Sequence, residues 1–139
     1  MSWPSVVLVA SAPECAAIEA RVRTLGVEKD PLSEGDFLHW NGYSYALDFS
    51  GDILSEFEPD EIEDARRRIG AEPQGIYVSC QSMDAARTFL AYALRGFSGL
   101  IDTNHGDVVD FAEFVDLIGK HPDWDWRRTE LADLLGTTE

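Results

Sequence analysis

The sequence contains little cysteine and no long apolar run. Its two cysteines, Cys15 and Cys80, are too few for a disulfide framework, and both lie in segments with the pattern of regular structure, so we expect both to be reduced. The apolar run 6–10 follows no basic segment, and it is too short for a signal peptide or a membrane span. These features predict a cytoplasmic protein that does not bind membranes.

Basic residues are also scarce. Eleven Lys and Arg stand against 26 Asp and Glu, which gives a formal charge of −15 and a pI near 4.4. Such a field repels nucleic acid backbones and anionic lipid headgroups, while it accelerates the encounter with a positively charged protein. We therefore expect no nucleic acid partner and favour a basic protein partner. The alternative is that the acidity serves solubility alone.

The apolar content is sufficient for a folded core. Hydrophobic residues make up 45% of the 139 residues, which separates this chain from acidic sequences that remain disordered. A chain of this length fits one domain, and no internal repeat, linker or low-complexity tract divides it. We therefore predict a single domain over residues 1–139.

The periodicity of apolar residues predicts the element order βαββαβαβ(β)αα. Apolar or alternating runs predict strands at 6–9, 37–40, 43–49, 75–79, 100–101 and 108–109. Helical spacing and start signals predict helices after Ser11, at Pro59, from Ser82 and from Asp110, with a short last helix around Leu131, Leu134 and Leu135. The sequence thus predicts the α+β class, with helices packed on a mixed, partly antiparallel sheet. The β-α-β-β opening resembles half of a ferredoxin-like domain.

Segment 102–113 resembles an EF-hand calcium loop at several positions. Four oxygen-bearing side chains stand at its positions one, three, nine and twelve: Asp102, Asn104, Asp110 and Glu113. Gly106 and Asp107 depart from the pattern, since position five lacks a side-chain oxygen and position six lacks the glycine. The same residues also fit a turn followed by a capping box from Asp110 to Glu113. We favour the capping box, assign no metal or other cofactor, and keep calcium as the alternative.

The segment from Asp48 to Asp64 contains eight carboxylates and no basic residue. Those next to Pro59 suit the positive end of a helix dipole, but the others repel one another without such a local reason. This pattern favours a site for a partner rich in Lys and Arg over a merely solvated face. The candidate binding residues are Asp48, Asp52, Glu56, Glu58, Asp60 and Glu61.

Trp124 and Trp126 form an aromatic pair just before the last predicted helix. Such a pair either anchors a protein interface or fixes a terminal helix to the core. We favour the second interpretation, and we keep both residues as candidates for partner binding.

No catalytic motif is present. His39, His105 and His121 lie far apart, and none belongs to a metal-binding or nucleophile motif. A nucleophile at Ser79 or Cys80 with a distant histidine remains open, because triads assemble only in the folded chain. We expect a protein that is not an enzyme.

In size, charge and style the whole chain resembles bacterial immunity proteins, small domains that neutralise a cognate toxin by covering its active site. The resemblance implies a basic toxin domain as the partner, for example a nuclease, with carboxylates that take the place of phosphates. The sequence therefore predicts an acidic protein-binding module of the inhibitor type. A calcium-binding module and an enzyme with an unrecognised site are the alternatives.

Overall fold

A single seven-stranded sheet organises the molecule. The computed structural model describes residues 3–29, 31–32 and 35–136. The strand order is β2-β3-β4-β5-β1-β6-β7, and every neighbouring pair is antiparallel. The strands are β1 (Ser5–Ala10), β2 (Glu28–Lys29), β3 (Asp36–Trp40), β4 (Tyr43–Asp48), β5 (Gln74–Cys80), β6 (Leu100–Asp102) and β7 (Val108–Asp110).

The α+β class is confirmed, and the sheet is antiparallel throughout where the sequence predicts a mixed one. The run from Val6 to Val9 is buried and lies between two strands, as expected of a central strand. Both neighbours, β5 and β6, run antiparallel to it. The ferredoxin-like expectation is wrong, because β5 separates β1 from the hairpin β3–β4 that the sequence predicts beside it, and the strand that follows the first helix is β2 at the far edge. The helix after β1 therefore leads to a distant edge strand, and the chain returns through neighbouring antiparallel strands.

Helices cover both faces of the sheet. They are α1 (Ala12–Arg23), a 3₁₀ helix (Asp52–Glu56), α2 (Pro59–Ile69), α3 (Met83–Ala93), α4 (Phe111–Lys120) and α5 (Leu131–Gly136). Alternate residues of β1 point to opposite faces. Val6 and Leu8 belong to the main core with α1, α3 and α4, whereas Val7 and Val9 pack with the 3₁₀ helix and α2. None of the helices in the described part of the chain combines the length and apolar character needed to span a membrane.

Gly75 in β5 allows the 3₁₀ helix to lie directly against the sheet. A Cβ atom at this position would lie 2.9 Å from Ile53 Cγ2 and 2.9 Å from Leu54 Cγ, closer than real Cβ contacts. Gly75 is buried, and it pairs with Val9 of β1 in the sheet. The position of the 3₁₀ helix therefore depends on the absence of a side chain at residue 75.

We predict that Gly75→Ala lowers the free energy of unfolding by about 1 to 3 kcal/mol, because the added methyl group overpacks this contact. Chemical denaturation followed by circular dichroism measures the change. Gly119→Ala is the matched control, since its Cβ would meet nothing within 4 Å and it lies in α4, where alanine is the better helix former. Equal denaturation midpoints for Gly75→Ala and the wild type would contradict the close contact.

Candidate partner-binding site

The six predicted carboxylates lie on one continuous stretch of structure. Asp48 ends β4, Asp52 and Glu56 bound the 3₁₀ helix, and the remaining three lie at the start of α2. We call the surface formed by Asp48, Asp52, Glu56, Glu58, Asp60 and Glu61 the acidic surface. The sequence predicts no conformation for 52–56, although the apolar pair Ile53-Leu54 within the acidic run is a signal that the segment packs on a core.

Local hydrogen bonds fix the backbone at the start of the acidic surface. The Asp48 carboxylate accepts the Ser50 N–H at 2.8 Å, and the Ser50 hydroxyl accepts the Asp52 N–H at 3.1 Å. Gly51 has φ of 87°, a left-handed conformation that favours glycine, and it begins the 3₁₀ helix. The chain therefore turns sharply from β4 into the acidic segment, with the Ser50 and Asp52 N–H groups hydrogen-bonded.

The first turn of α2 is formed by proline and a side-chain cap. Pro59 occupies the first turn, where its missing N–H costs no hydrogen bond. One oxygen of Glu61 accepts the Glu58 N–H at 2.8 Å. Asp60 and Glu61 also lie at the positive end of the helix dipole, which stabilises their negative charge. The fold thus tolerates these carboxylates without neutralising them.

Ion pairing divides the acidic segment into two parts. Among the residues that the structure describes, none of the six carboxylates of the acidic surface has a cationic nitrogen within 4.0 Å. Further along α2, Arg66 pairs with Glu63 at 2.5 Å and with Glu72 at 2.8 Å, and Asp64 pairs with Arg67. The arginines at the end of α2 are therefore paired locally and do not pair with the acidic surface.

The acidic surface has apolar support beneath it. A smaller core lies between the sheet and the side of the 3₁₀ helix and α2, and it includes Val7 and Val9 of the central strand. Partly buried against it are Ile53, Leu54 and Phe57. Side chains on a packed segment lose less conformational entropy on binding than those on a free loop. The carboxylates are therefore presented by a structured platform.

Asp102, at the end of β6, adds a carboxylate close to this surface. Burial raises its pKa above the usual range, the negative charge of Glu61 raises it further, and the Asn104 N–H that it accepts at 2.8 Å lowers it in part. The sequence places Asp102 only in the calcium alternative. Its proximity to Glu61 arises from the packing of α2 over the sheet, so no sequence pattern indicates it.

We predict that Asp102→Asn raises the free energy of unfolding at neutral pH by less than about 1 kcal/mol, because solvent screens a partly exposed carboxylate. A raised pKa in the folded state means that ionisation of Asp102 costs stability as the pH rises above the usual carboxyl range. Asparagine removes that charge and keeps an acceptor for the Asn104 N–H. Urea denaturation at neutral and at acidic pH should show the advantage shrinking as the pH falls, and an advantage that grows in acid would contradict the raised pKa.

The calcium-loop residues lie along a β-hairpin and do not converge. Asp102 is opposite Val108, and Asp110 is opposite Leu100, so the carboxylates are spread along β6 and β7. Among the described residues, no group of three or more His, Cys, Asp or Glu side chains is placed to hold a metal ion. Asp107 instead accepts the Leu131 N–H at 2.8 Å, which ties the hairpin to the start of α5.

Asp110 is the N-cap residue of α4 as predicted, but the predicted side-chain hydrogen bond of the cap is not formed. Its backbone has the extended conformation of an N-cap residue, yet its carboxylate accepts no hydrogen bond from the first turn. The Phe111 N–H donates instead to the carbonyl of Gly99 at 2.9 Å. The start of α4 is therefore fixed by this backbone contact to the segment before β6, and Glu113 is exposed on the helix.

Trp124 and Trp126 are core residues, which confirms the favoured interpretation that they fix the terminal segment, and the alternative use of the pair for partner binding is wrong because the side chains are buried. Their exposed fractions are 3% and 1%. Their ring centroids lie 5.7 Å and 5.2 Å from that of Phe114 in α4, and Trp124 Nε1 donates to the Thr129 carbonyl at 2.7 Å. The pair fixes the segment before α5 to the core, because apolar burial outweighs the acidic character of the neighbouring residues.

The potential nucleophiles lack activation in the described part of the chain. Cys80 is 1% exposed, and burial raises its pKa to about 12, which disfavours the reactive thiolate. Ser44 Oγ and His39 Nδ1 lie 2.8 Å apart on exposed positions of β4 and β3. No carboxylate of the described residues hydrogen-bonds the other ring nitrogen of His39, so this pair lacks the orienting group of a catalytic triad.

No family model, curated protein or solved structure matches this chain.

Proposed function

We propose that this protein binds a basic protein through the acidic surface and that the partner is a toxin whose active site it covers. The observation that supports this function is that, among the described residues, six successive carboxylates have no cationic partner within 4.0 Å, while the neighbouring carboxylates of α2 are paired. Lys and Arg side chains of a partner would supply the missing counter-charges. The structured platform beneath the surface favours recognition over mere solvation.

A nuclease is the kind of toxin that suits this surface best. Nucleases bind phosphate groups with Arg, Lys and backbone N–H donors. Carboxylates can accept hydrogen bonds from the same donors. The net charge of −15 would also steer the encounter over distances comparable to the screening length. An inhibitor that occupies the groove in this way needs no catalytic residue of its own.

Co-expression with the product of the adjacent gene tests the proposal, because toxins and their inhibitors are commonly encoded together. We expect that product to be basic, to arrest growth when expressed alone, and to form a stable complex with this protein on size-exclusion chromatography. A toxin variant without its catalytic residue should still form the complex, which separates binding from toxicity. An adjacent product that is acidic, or that does not bind, would count against the proposed function.

A further inference from the structure

A small apolar cavity lies beside the acidic surface, where α2 packs against β1, β6 and β7. Its volume is about 70 Å³. Five apolar side chains and three carboxylates line it: Val9, Phe57, Ala65, Leu100 and Val108, with Glu61, Asp64 and Asp102. Val9, Ala65 and Leu100 are buried, whereas Val108 is 40% exposed, so one wall of the cavity reaches the protein surface.

The three carboxylates of this cavity differ in their partners. Asp64 is already paired with Arg67 and lies 3.6 Å from Arg68. Glu61 and Asp102 have no cationic partner within 4.0 Å in the described part of the chain, and each uses one oxygen to accept a backbone N–H. Asp102 is half-buried, whereas Glu61 is exposed. A half-buried carboxylate without a counter-ion favours the approach of a cation, and the charge of Glu61 adds to that attraction.

We propose that this cavity is the receptor for one arginine side chain of the basic partner, which rests on the proposed function. The apolar walls suit the aliphatic stem of a long cationic side chain, and the carboxylates suit its charged end. Arginine fits better than lysine, because its planar guanidinium presents several N–H donors and can serve Glu61 on α2 and Asp102 on β6 together. The side chain would thus dock where the acidic surface meets the hairpin β6–β7.

Titration with N-acetyl-arginine methylamide, followed by methyl NMR, tests this receptor. We expect saturable shifts for the methyl groups of Val9, Ala65, Leu100 and Val108, with affinity in the millimolar range that single side chains typically reach. N-acetyl-norleucine methylamide has the stem without the charge, and N-acetyl-lysine methylamide has a point charge, so both should bind more weakly. Equal binding of the norleucine compound, or no saturable shift with the arginine compound, would overturn the proposal.

Asp102→Asn should weaken binding of the arginine compound by at least about fivefold, because one of the two carboxylate acceptors loses its charge. Asp116→Asn, which removes a carboxylate paired with Lys120 on α4, is the matched control and should leave the affinity within about twofold. Glu61→Gln provides a second test, since it keeps an oxygen for the Glu58 N–H if Asp102→Asn disturbs the fold. Unchanged affinity in both variants would overturn the receptor.

The receptor and the proposed function fail in different experiments. If the adjacent gene product binds the wild type and Asp102→Asn with equal dissociation rates, the receptor is refuted and the proposed function stands. If the arginine compound binds as expected and the gene product does not bind, the receptor is supported and the proposed function fails.

Discussion

Replacing Asp52, Glu56, Glu58 and Glu61 by their amides should slow association with the basic partner by about tenfold or more at low salt. The amides keep the size of the side chains and remove four charges that have no ion-pair partner in the described part of the chain. For Asp52, Glu56 and Glu58 the effect should fall on the association rate through steering, whereas the loss of Glu61, a carboxylate of the proposed receptor, should also raise the dissociation rate. Stopped-flow or surface-binding kinetics at several salt concentrations measure both rates.

A matched variant separates the acidic surface from the net charge. Its four substitutions remove carboxylates that are ion-paired elsewhere: Glu19→Gln, Glu72→Gln, Asp84→Asn and Asp116→Asn. Each variant loses four negative charges, which changes the formal charge from −15 to −11. The paired-site variant should associate at nearly the wild-type rate. Equal slowing of both variants would show that overall charge, and not this surface, governs the encounter.

Trp126→Ala should lower the free energy of unfolding by about 3 to 5 kcal/mol, the cost of removing a large aromatic side chain from a core. Trp126 is 1% exposed, and its ring centroid lies 5.2 Å from that of Phe114 and 5.7 Å from that of Trp124. The substitution would leave a cavity between α4 and the segment before α5. Thermal and urea unfolding measure the loss.

Trp126→Phe and Trp3→Ala are informative controls for this substitution. Trp126 Nε1 is buried and has no hydrogen-bond partner among the described residues, so phenylalanine removes an unsatisfied donor and should cost much less than alanine. Trp3 is 40% exposed, and its replacement should change stability by about 0.5 kcal/mol or less. A small loss for Trp126→Ala would contradict the core position of the indole and restore it as a candidate for partner binding.

The local structure follows closely from the sequence where the signal is local. The dipeptide Asn41-Gly42 predicts the hairpin between β3 and β4, and both residues have positive φ, 56° and 84°. Pro59 and Gly70 bound α2 as predicted, with Gly70 in the left-handed conformation that ends a helix. These elements depend on interactions between residues that are close together in the sequence.

Strand pairing does not follow from the sequence in the same way. A continuous apolar run such as Val6 to Val9 fits any central strand covered on both faces, whether its neighbours are parallel or antiparallel. The choice depends on where the chain returns after α1, which is a property of the whole fold. The short edge strand β2 has no apolar pattern, so the sequence does not predict it.

The candidate site likewise has features that follow from the local sequence and features that depend on the folded structure. The order of residues in the sequence is enough to identify the carboxylates of the acidic surface, because they are close together in the chain. Which carboxylates stay unpaired is set by three-dimensional contacts, such as that of Arg66 with Glu72 beyond the end of α2. The approach of Asp102 to Glu61 depends likewise on the packing of α2 over β6. Tryptophans beside acidic residues fit either a core or an interface; the sequence favours the core for Trp124 and Trp126, and their burial confirms it.

Hydrogen–deuterium exchange of the protein with and without the basic partner tests the role of the acidic surface most directly. We expect slower exchange in the complex at residues 48–61 and in the hairpin 102–108, with little change in α3 and α4. The same pattern should weaken in the four-amide variant. Unchanged exchange at 48–61, with protection appearing around 121–136 or on β3 and β4, would contradict the acidic surface as the binding site.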